Sequence, residues 1–173
     1  AEEPSAGTYA IDGVHSAVLF RIQHMGLCYS YGCFEQISGE IVLDADPAKC
    51  KVRLEVDANS VDTNNADRDN HLRGPDFFNA AEFPAITFTS SKLRKSANKY
   101  AVTGDLECHG VSKEVTIEMQ LIGAKDVGEG FGGYKIGFEG KLSIDRHAFD
   151  ISNYPEVLGK DVELTLAVEA SKQ

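Results

Sequence analysis

The chain has 173 residues, 42 % of them hydrophobic, which suits one domain with a substantial core. Its 17 Lys and Arg stand against 27 Asp and Glu, a formal net charge of −10 and a pI near 4.9, which disfavours a non-specific grip on nucleic-acid phosphates and on anionic bilayers. No run approaches the ~20 apolar residues of a membrane helix, and 25 % charged residues in regular alternation argue against disorder.

The opening Ala1-Glu2-Glu3-Pro4-Ser5-Ala6-Gly7 is polar and turn-prone, as after removal of a signal peptide. Residues 1–8 are therefore expected to be a disordered mature N-terminus ahead of one domain at 9–171, in the periplasm or secreted. Period-two alternation then runs along the chain. After a short strand near Tyr9–Asp12 come 17–24, where Val18, Phe20 and Ile22 alternate with Arg21 and Gln23, then 39–43, 52–56, 86–88, 100–106, 115–121, 134–144 and 162–168. Turn residues separate them, at Asp46-Pro47, Ser96-Ala97-Asn98, His109-Gly110 and Gly128–Gly133. Eight or nine antiparallel strands joined by short loops predict an all-β sandwich or closed barrel. Residues 57–84 break the pattern and read as a long crossover with one or two helical turns.

Alternation predicts the inward side chains: Val18, Phe20, Ile22, Ile41, Leu43, Val52, Leu54, Val56, Phe88, Val102, Leu106, Ile117, Met119, Leu121, Ile136, Phe138, Leu142, Leu164 and Leu166. An eight-stranded barrel is wide enough either to be filled by such residues or to hold one slim ligand. Parity from Leu142 and Ile144 also turns Arg146 inward, where its charge needs a carboxylate, a carbonyl or a ligand.

Four cysteines, Cys28, Cys33, Cys50 and Cys108, form an even set compatible with an oxidising compartment, and three pairings are open. A Cys28–Cys33 bridge requires a turn, because on a straight strand the two sulfurs face opposite ways; Gly26 and Gly32 offer one. Gly128–Gly133 matches G-x-G-x-x-G, but no helix pattern follows, so a hairpin loop is expected. Asp57–Arg68 fails as a calcium loop, with Val61, Asp62 and Arg68 where a ligand, a Gly and a Glu belong. His24 is expected to be hydrogen-bonded near one barrel end, and Arg68, Asp69 and His71 to form a network locking the crossover. No nucleophile elbow, triad or metal set emerges, so no catalytic residue, metal ligand or enzymatic activity is assigned.

Several segments in sequence order resemble the YceI-like family of polyisoprenoid-binding, lipocalin-like proteins. They are Tyr9-Ala10-Ile11-Asp12-x-x-His15-Ser16, Phe20-x-x-x-His24-x-Gly26, Gly32-x-Phe34 with Gly39, and Ser60-Val61-Asp62-Thr63. Arg68-Asp69-x-His71-Leu72, Phe77-Phe78, Phe83-Pro84-x-Ile86-x-Phe88-x-Ser90 and Gly104-x-Leu106-x-x-His109-Gly110-Val111-x-Lys113-x-Val115 complete the set. The resemblance spans Tyr9 to about Ala170. It departs at Ile144–Asp150, where Asp145, Ala148 and Asp150 differ from the family pattern, and the cysteines look like additions.

The resemblance implies an eight-stranded antiparallel barrel whose tunnel holds the tail of an isoprenoid lipid such as ubiquinone or a polyprenyl compound. The head group then falls to polar residues at the mouth, for which His24, Arg68, Asp69, His71 and Arg146 are candidates, with Tyr31 and Tyr154 to stack on a ring. Two rival readings stand beside this one: a carbohydrate-binding or adhesion domain without a tunnel, and an enzyme acting on a lipid or quinone. A homodimer is left open, although closed edges remove the easiest route to it.

Overall fold

Strands with one apolar face need a second apolar surface, and here they supply it by closing on themselves. The computed structural model describes residues 3–173. Its strands are β1 (Gly7–Ile11), β2 (Ala17–His24), β3 (Cys28–Phe34), β4 (Ile37–Leu43), β5 (Lys51–Asp57), β6 (Val61–Asp62), β7 (Ala85–Ser96), β8 (Lys99–Cys108), β9 (Val111–Asp126), β10 (Tyr134–Asp145) and β11 (Leu158–Lys172). The helix α1 (Ala66–Arg73) lies in the crossover between β6 and β7. An antiparallel ring runs β1-β4-β5-β7-β8-β9-β10-β11 and closes through β1 on β11, the expected eight-stranded barrel.

Eleven strands are named because two staves are broken, into β1 and β2 and into β3 and β4, and the two-residue β6 adds a short pairing on β3. Along one edge of β11, β1 pairs from Tyr9↔Lys172 to Ile11↔Ala170, and β2 continues from Ala17↔Ala167 to His24↔Leu158. Asp12 N–H and Ser16 Oγ donate to the Glu169 carbonyl, and Ser16 Oγ accepts from Glu169 N–H. The Asp12 carboxylate accepts from Val14 N–H, His15 Nδ1 and Lys135 Nζ, so the Asp-x-x-His-Ser segment staples this break. The second break separates β3 from β4, where Glu35 and Gln36 N–H donate to the carbonyl and hydroxyl of Ser60.

β3 is the strand that alternation does not reveal. Its pairing with β2 runs without interruption from Val18↔Phe34 to His24↔Cys28, and the turn sits earlier, at Met25 and Gly26, both with positive φ. Cys28 and Cys33 therefore fall on opposite faces of one strand, which forbids the bridge between them; all four cysteines are free. On its other edge β3 meets only β6, at Cys33↔Asp62 and Phe34↔Val61, leaving the sheet open beside Cys28–Gly32. The segment leading into α1 packs there: a Cβ on Gly32 would stand 2.8 Å from Thr63 Cγ2 and would collide with Phe20 Cζ.

The ordered N-terminus starts earlier than expected. Gly7 and Thr8 pair with Leu43 and Val42, and Tyr9 donates its hydroxyl to the Ser5 carbonyl at 2.6 Å, so residues 5–8 are held rather than disordered. Residues 1 and 2 of that stretch lie outside the described residues. The helix in the crossover starts at an Asn65 cap, whose side chain accepts from Arg68 N–H, and carries Asp67 and Asp69 in its first turn. Gly128–Gly133 is the expected hairpin loop, between β9 and β10.

Packing divides the barrel into two halves. At the end where β1 closes the ring, Tyr9, Ile136, Val168, Ala170, Leu121 and Ala124 fill the interior, with Tyr100 edge-on to Phe138 at 5.3 Å. The opposite half keeps its apolar wall but stays hollow.

Candidate functional site

The hollow half is a cavity of about 630 Å³, within the range of sites that enclose a ligand. Along β2 it extends from Val18 to His24, a depth of about 20 Å at strand rise. Val18, Phe20, Ile22, Leu54, Val56, Phe88, Leu106, Ile117, Leu142, Leu164 and Leu166 line it, as their parity predicts. Ile41, Leu43, Val52, Val102, Met119 and Phe138 do not. They also face inward, but below the cavity floor, around a separate void of about 40 Å³. Leu54, Phe88 and Ile117 border both spaces and form the partition. Leu121 and Ile136 line neither and belong to the packed end. Parity gave the inward face correctly for these eight residues, but their height along the barrel puts them outside the cavity.

Why the upper half is hollow is visible in β3. Its inward positions are Cys28, Ser30, Gly32 and Phe34, small except at the bottom, while Tyr29, Tyr31 and Cys33 face out. Phe34 packs against Phe20 at 5.6 Å and Phe78 at 5.4 Å, closing the wall where β3 ends. A second cluster roofs one side of the mouth: Phe77, Cys108, Phe149 and Ile151 are buried together, with Leu72, Ile144 and Leu158 against them. Burial pushes the Cys108 thiol up to about 12. Of the lining residues alternation did not supply, Ile86, Ile144 and Val162 share strand parity with residues it did. Phe77 and Phe78 lie in the crossover, Phe149 in a 3₁₀ turn and Ile151 in the loop just after it, where no period-two signal exists.

Polar side chains gather at the rim. The expected Arg68–Asp69–His71 network is divided in two. Thr63 donates its amide and hydroxyl to Asp69 Oδ1, at 2.8 and 2.5 Å, while Arg68 donates to Thr63 Oγ1 and its carbonyl, at 2.7 and 2.6 Å. Asp69 is buried and does not line this cavity; it fixes Thr63, which positions Arg68 at the rim. His71 belongs to a second group. Its Nε2 lies 3.0 Å from Asp76 Oδ2 and 3.4 Å from the Tyr154 hydroxyl, and Tyr154 also donates to Asp76. The His71 and Tyr154 contacts hold the Asp76 carboxyl below its ordinary range, and Asp76 in turn raises the Tyr154 phenol.

Arg146 does turn inward, and carbonyls answer its charge. It is 4 % exposed and donates to the backbone oxygens of Gly159, Ile151, Asn153 and Leu158, at 2.9, 2.7, 2.8 and 3.3 Å. Burial pushes its guanidinium pKa down, and Asp145 opposes that. Arg146 therefore ties together the loop that forms one lip of the mouth. His24 departs from its expected role: it faces the cavity opposite Cys28, and its side chain makes no hydrogen bond among the described residues. Tyr31 borders the mouth from the outer face and is 62 % exposed.

Among the described residues one group has the spacing to hold a cation, Asp12, His15 and Glu169 on the barrel exterior. The Lys135 ammonium already sits between its carboxylates, 3.1 Å from Asp12 and 2.6 Å from Glu169, and supplies the positive charge there. No helix is long and apolar enough to cross a membrane among the described residues.

Comparison with known proteins gives the same answer across the whole barrel. The sequence profile of the YceI-like domain matches residues 9–170. The Escherichia coli O157:H7 protein YceI is 41 % identical over 171 residues, covering 97 % of this chain and 88 % of the relative. The crystal structure of Campylobacter jejuni YCEI superposes with a TM-score of 0.77 at 33 % identity, over 87 % of this chain and 90 % of that one. A polyisoprenoid-binding domain from Saccharophagus degradans shares the fold, with a TM-score of 0.73 at 15 % identity over 98 % of this chain and 100 % of its own. With its closed eight-stranded ring, broken staves and matching motifs, the chain belongs to the YceI-like family.

Proposed function

We propose that this protein binds and carries or stores an isoprenoid lipid, with its tail in the cavity and its head at the mouth. The observation that carries the reading is the division of one enclosed space into an apolar shaft and a polar rim. A tail of a few tens of carbons at ~0.3 kcal/mol per heavy atom reaches on the order of 10 kcal/mol, a Kd below micromolar. Such non-directional energy selects tail girth and length, and the head is left to the rim. There His24, Arg68, His71 and Tyr154 border the same space, suited to a quinone ring or another oxygen-bearing head. Family membership and the polyisoprenoid-binding fold neighbour support the lipid class; ubiquinone and polyprenyl compounds are the specific candidates. The role is one of binding rather than catalysis. The reading places the protein in the periplasm or outside the cell, where a lipid crossing water needs a container.

Mass spectrometry of the purified protein, intact under native conditions and after solvent extraction, tests this. A stoichiometric apolar adduct is expected, absent from Leu164→Trp, whose indole fills the shaft; the same spectra read the subunit number. A clean apo mass that persists after incubation with quinones and polyprenols overturns the reading.

A further inference from the structure

We propose that the β2–β3 hairpin docks the cavity mouth onto a zwitterionic lipid bilayer, so that ligand passes between membrane and barrel without crossing water. The inference rests on the lipid-binding reading above and names the donor and acceptor for that site. The hairpin tip carries Met25 and Leu27, 58 % and 82 % exposed, and neither lines the cavity. Next to the tip, His24 and Cys28 do line it, so the exposed apolar surface and the cavity wall are continuous. Met25 N–H also donates to the Val157 carbonyl at 2.6 Å, which fixes the tip against the adjoining lip, ahead of β11.

Two features favour a bilayer over a protein partner. From Ile22 to Phe34 the sequence holds no Asp, Glu, Lys or Arg, in a chain with 25 % charged residues. Polarity is also graded along the outer face of this hairpin. Leu27 and Met25 come first, then Tyr29 opposite Gln23, then Tyr31 opposite Arg21, whose guanidinium pairs with Glu163 at 2.7 Å. Each step is two residues, about 7 Å. That order of apolar tip, amphipathic tyrosines and ion pair matches the order of acyl region, interface and water at a membrane. The formal charge of −10, with Glu156 exposed on the adjoining lip, selects a zwitterionic over an anionic surface. At the barrel's packed end Phe131 is 78 % exposed, but no cavity opens beside it.

The test follows long-tailed ubiquinone leaving the loaded protein for phosphatidylcholine vesicles. Docking makes the wild-type transfer rate rise in proportion to vesicle concentration, and makes apo protein float with the vesicles. The double variant Met25→Asp, Leu27→Asp is expected to lose flotation and transfer about tenfold more slowly or worse, while its extracted ubiquinone content and circular dichroism match wild type. Phe131→Asp should behave as wild type, and phosphatidylglycerol in the vesicles should slow transfer. A wild-type rate independent of vesicle concentration, or a double variant as fast as wild type, overturns docking alone and turns the hairpin over to a protein partner. A wild type that retains no ubiquinone overturns the ligand reading and docking with it.

Discussion

Tyr154 lies over Phe77 with ring centroids 5.8 Å apart and planes 15° from parallel, and its hydroxyl donates to Asp76 at 3.1 Å. The contact joins two segments distant in sequence, the stretch behind α1 and the loop that Arg146 gathers. It closes the roof of the mouth beside His71, which meets both rings edge-on, at 5.0 and 5.6 Å. Removing the ring should loosen the roof without reaching the core. Tyr154→Ala is expected to speed release of bound lipid about three- to tenfold, and Tyr154→Phe, which keeps the stack, by less. Stopped-flow exchange into detergent micelles measures both; equal rates in all three proteins would leave the stack without a gating role.

The same roof should respond to acid. Asp76 is held below the ordinary carboxylate range, so its contacts are complete above about pH 4 and are lost as pH falls through its lowered pKa. Lipid release should therefore accelerate in acid in the wild type. Asp76→Asn should release faster at neutral pH and show a flatter profile. Parallel profiles for the two proteins would contradict this.

Arg146 holds its loop through carbonyls alone, and its loss takes the donor from four acceptors, of which Ile151 is buried and Leu158 and Gly159 half-buried. Arg146→Met should cost about 3 kcal/mol in urea unfolding. Arg146→Lys should recover less than half of that, since an ammonium cannot reproduce the planar fork. A loss under 1 kcal/mol, the scale of an exposed pair, would show that the loop has other support.

Two thiols face the cavity in opposite circumstances. Cys28 is exposed at the mouth, whereas Cys108 is buried under the roof with its pKa pushed up to about 12. Maleimide at neutral pH should modify Cys28 within minutes and leave Cys108 intact in the folded protein. Loading with lipid should slow the Cys28 reaction, as peptide mapping would show. Rapid labelling of Cys108 would mean that the roof opens readily.

The floor offers a test of tail length. Gly140 faces inward, and a Cβ there would strike the sulfur of Met119, with the Met119 methyl 3.1 Å away. Met119 borders the small void under the floor. Gly140→Ala should push its thioether into that void and restrict the protein to shorter tails. Competition between short- and long-tailed ubiquinones reads the preference, and an unchanged ratio would mean that tails never press on the floor.

Where strands carry large apolar residues on one face and charges on the other, as in β2 and β5, sequence was enough to assign their inward sides. β3 inverts that rule, with tyrosines outside and Cys28, Ser30 and Gly32 inside. A hollow requires small side chains at its wall, so the strand that creates the space also erases the signal of a strand. The rim was legible in residue type but not in partnership. Arg68, Asp69 and His71 stand almost side by side in sequence, yet the helix turns His71 toward Asp76 and Tyr154, which no spacing rule could pair. Height along the barrel was also invisible, because Met119 and Leu106 share an inward parity and differ only in which side of the partition they occupy.

The tandem seating of β1 and β2 along β11 also sets the order in which this protein can form. β1 closes the ring against Ala170, Ser171 and Lys172, so the last strand of the chain meets the first. Consecutive hairpins can pair one after another, but the barrel has no inside until β11 lies against β1. Until then both faces of the curving sheet are wet. Ring closure is the most non-local pairing in the barrel, and the cavity comes into being only with it.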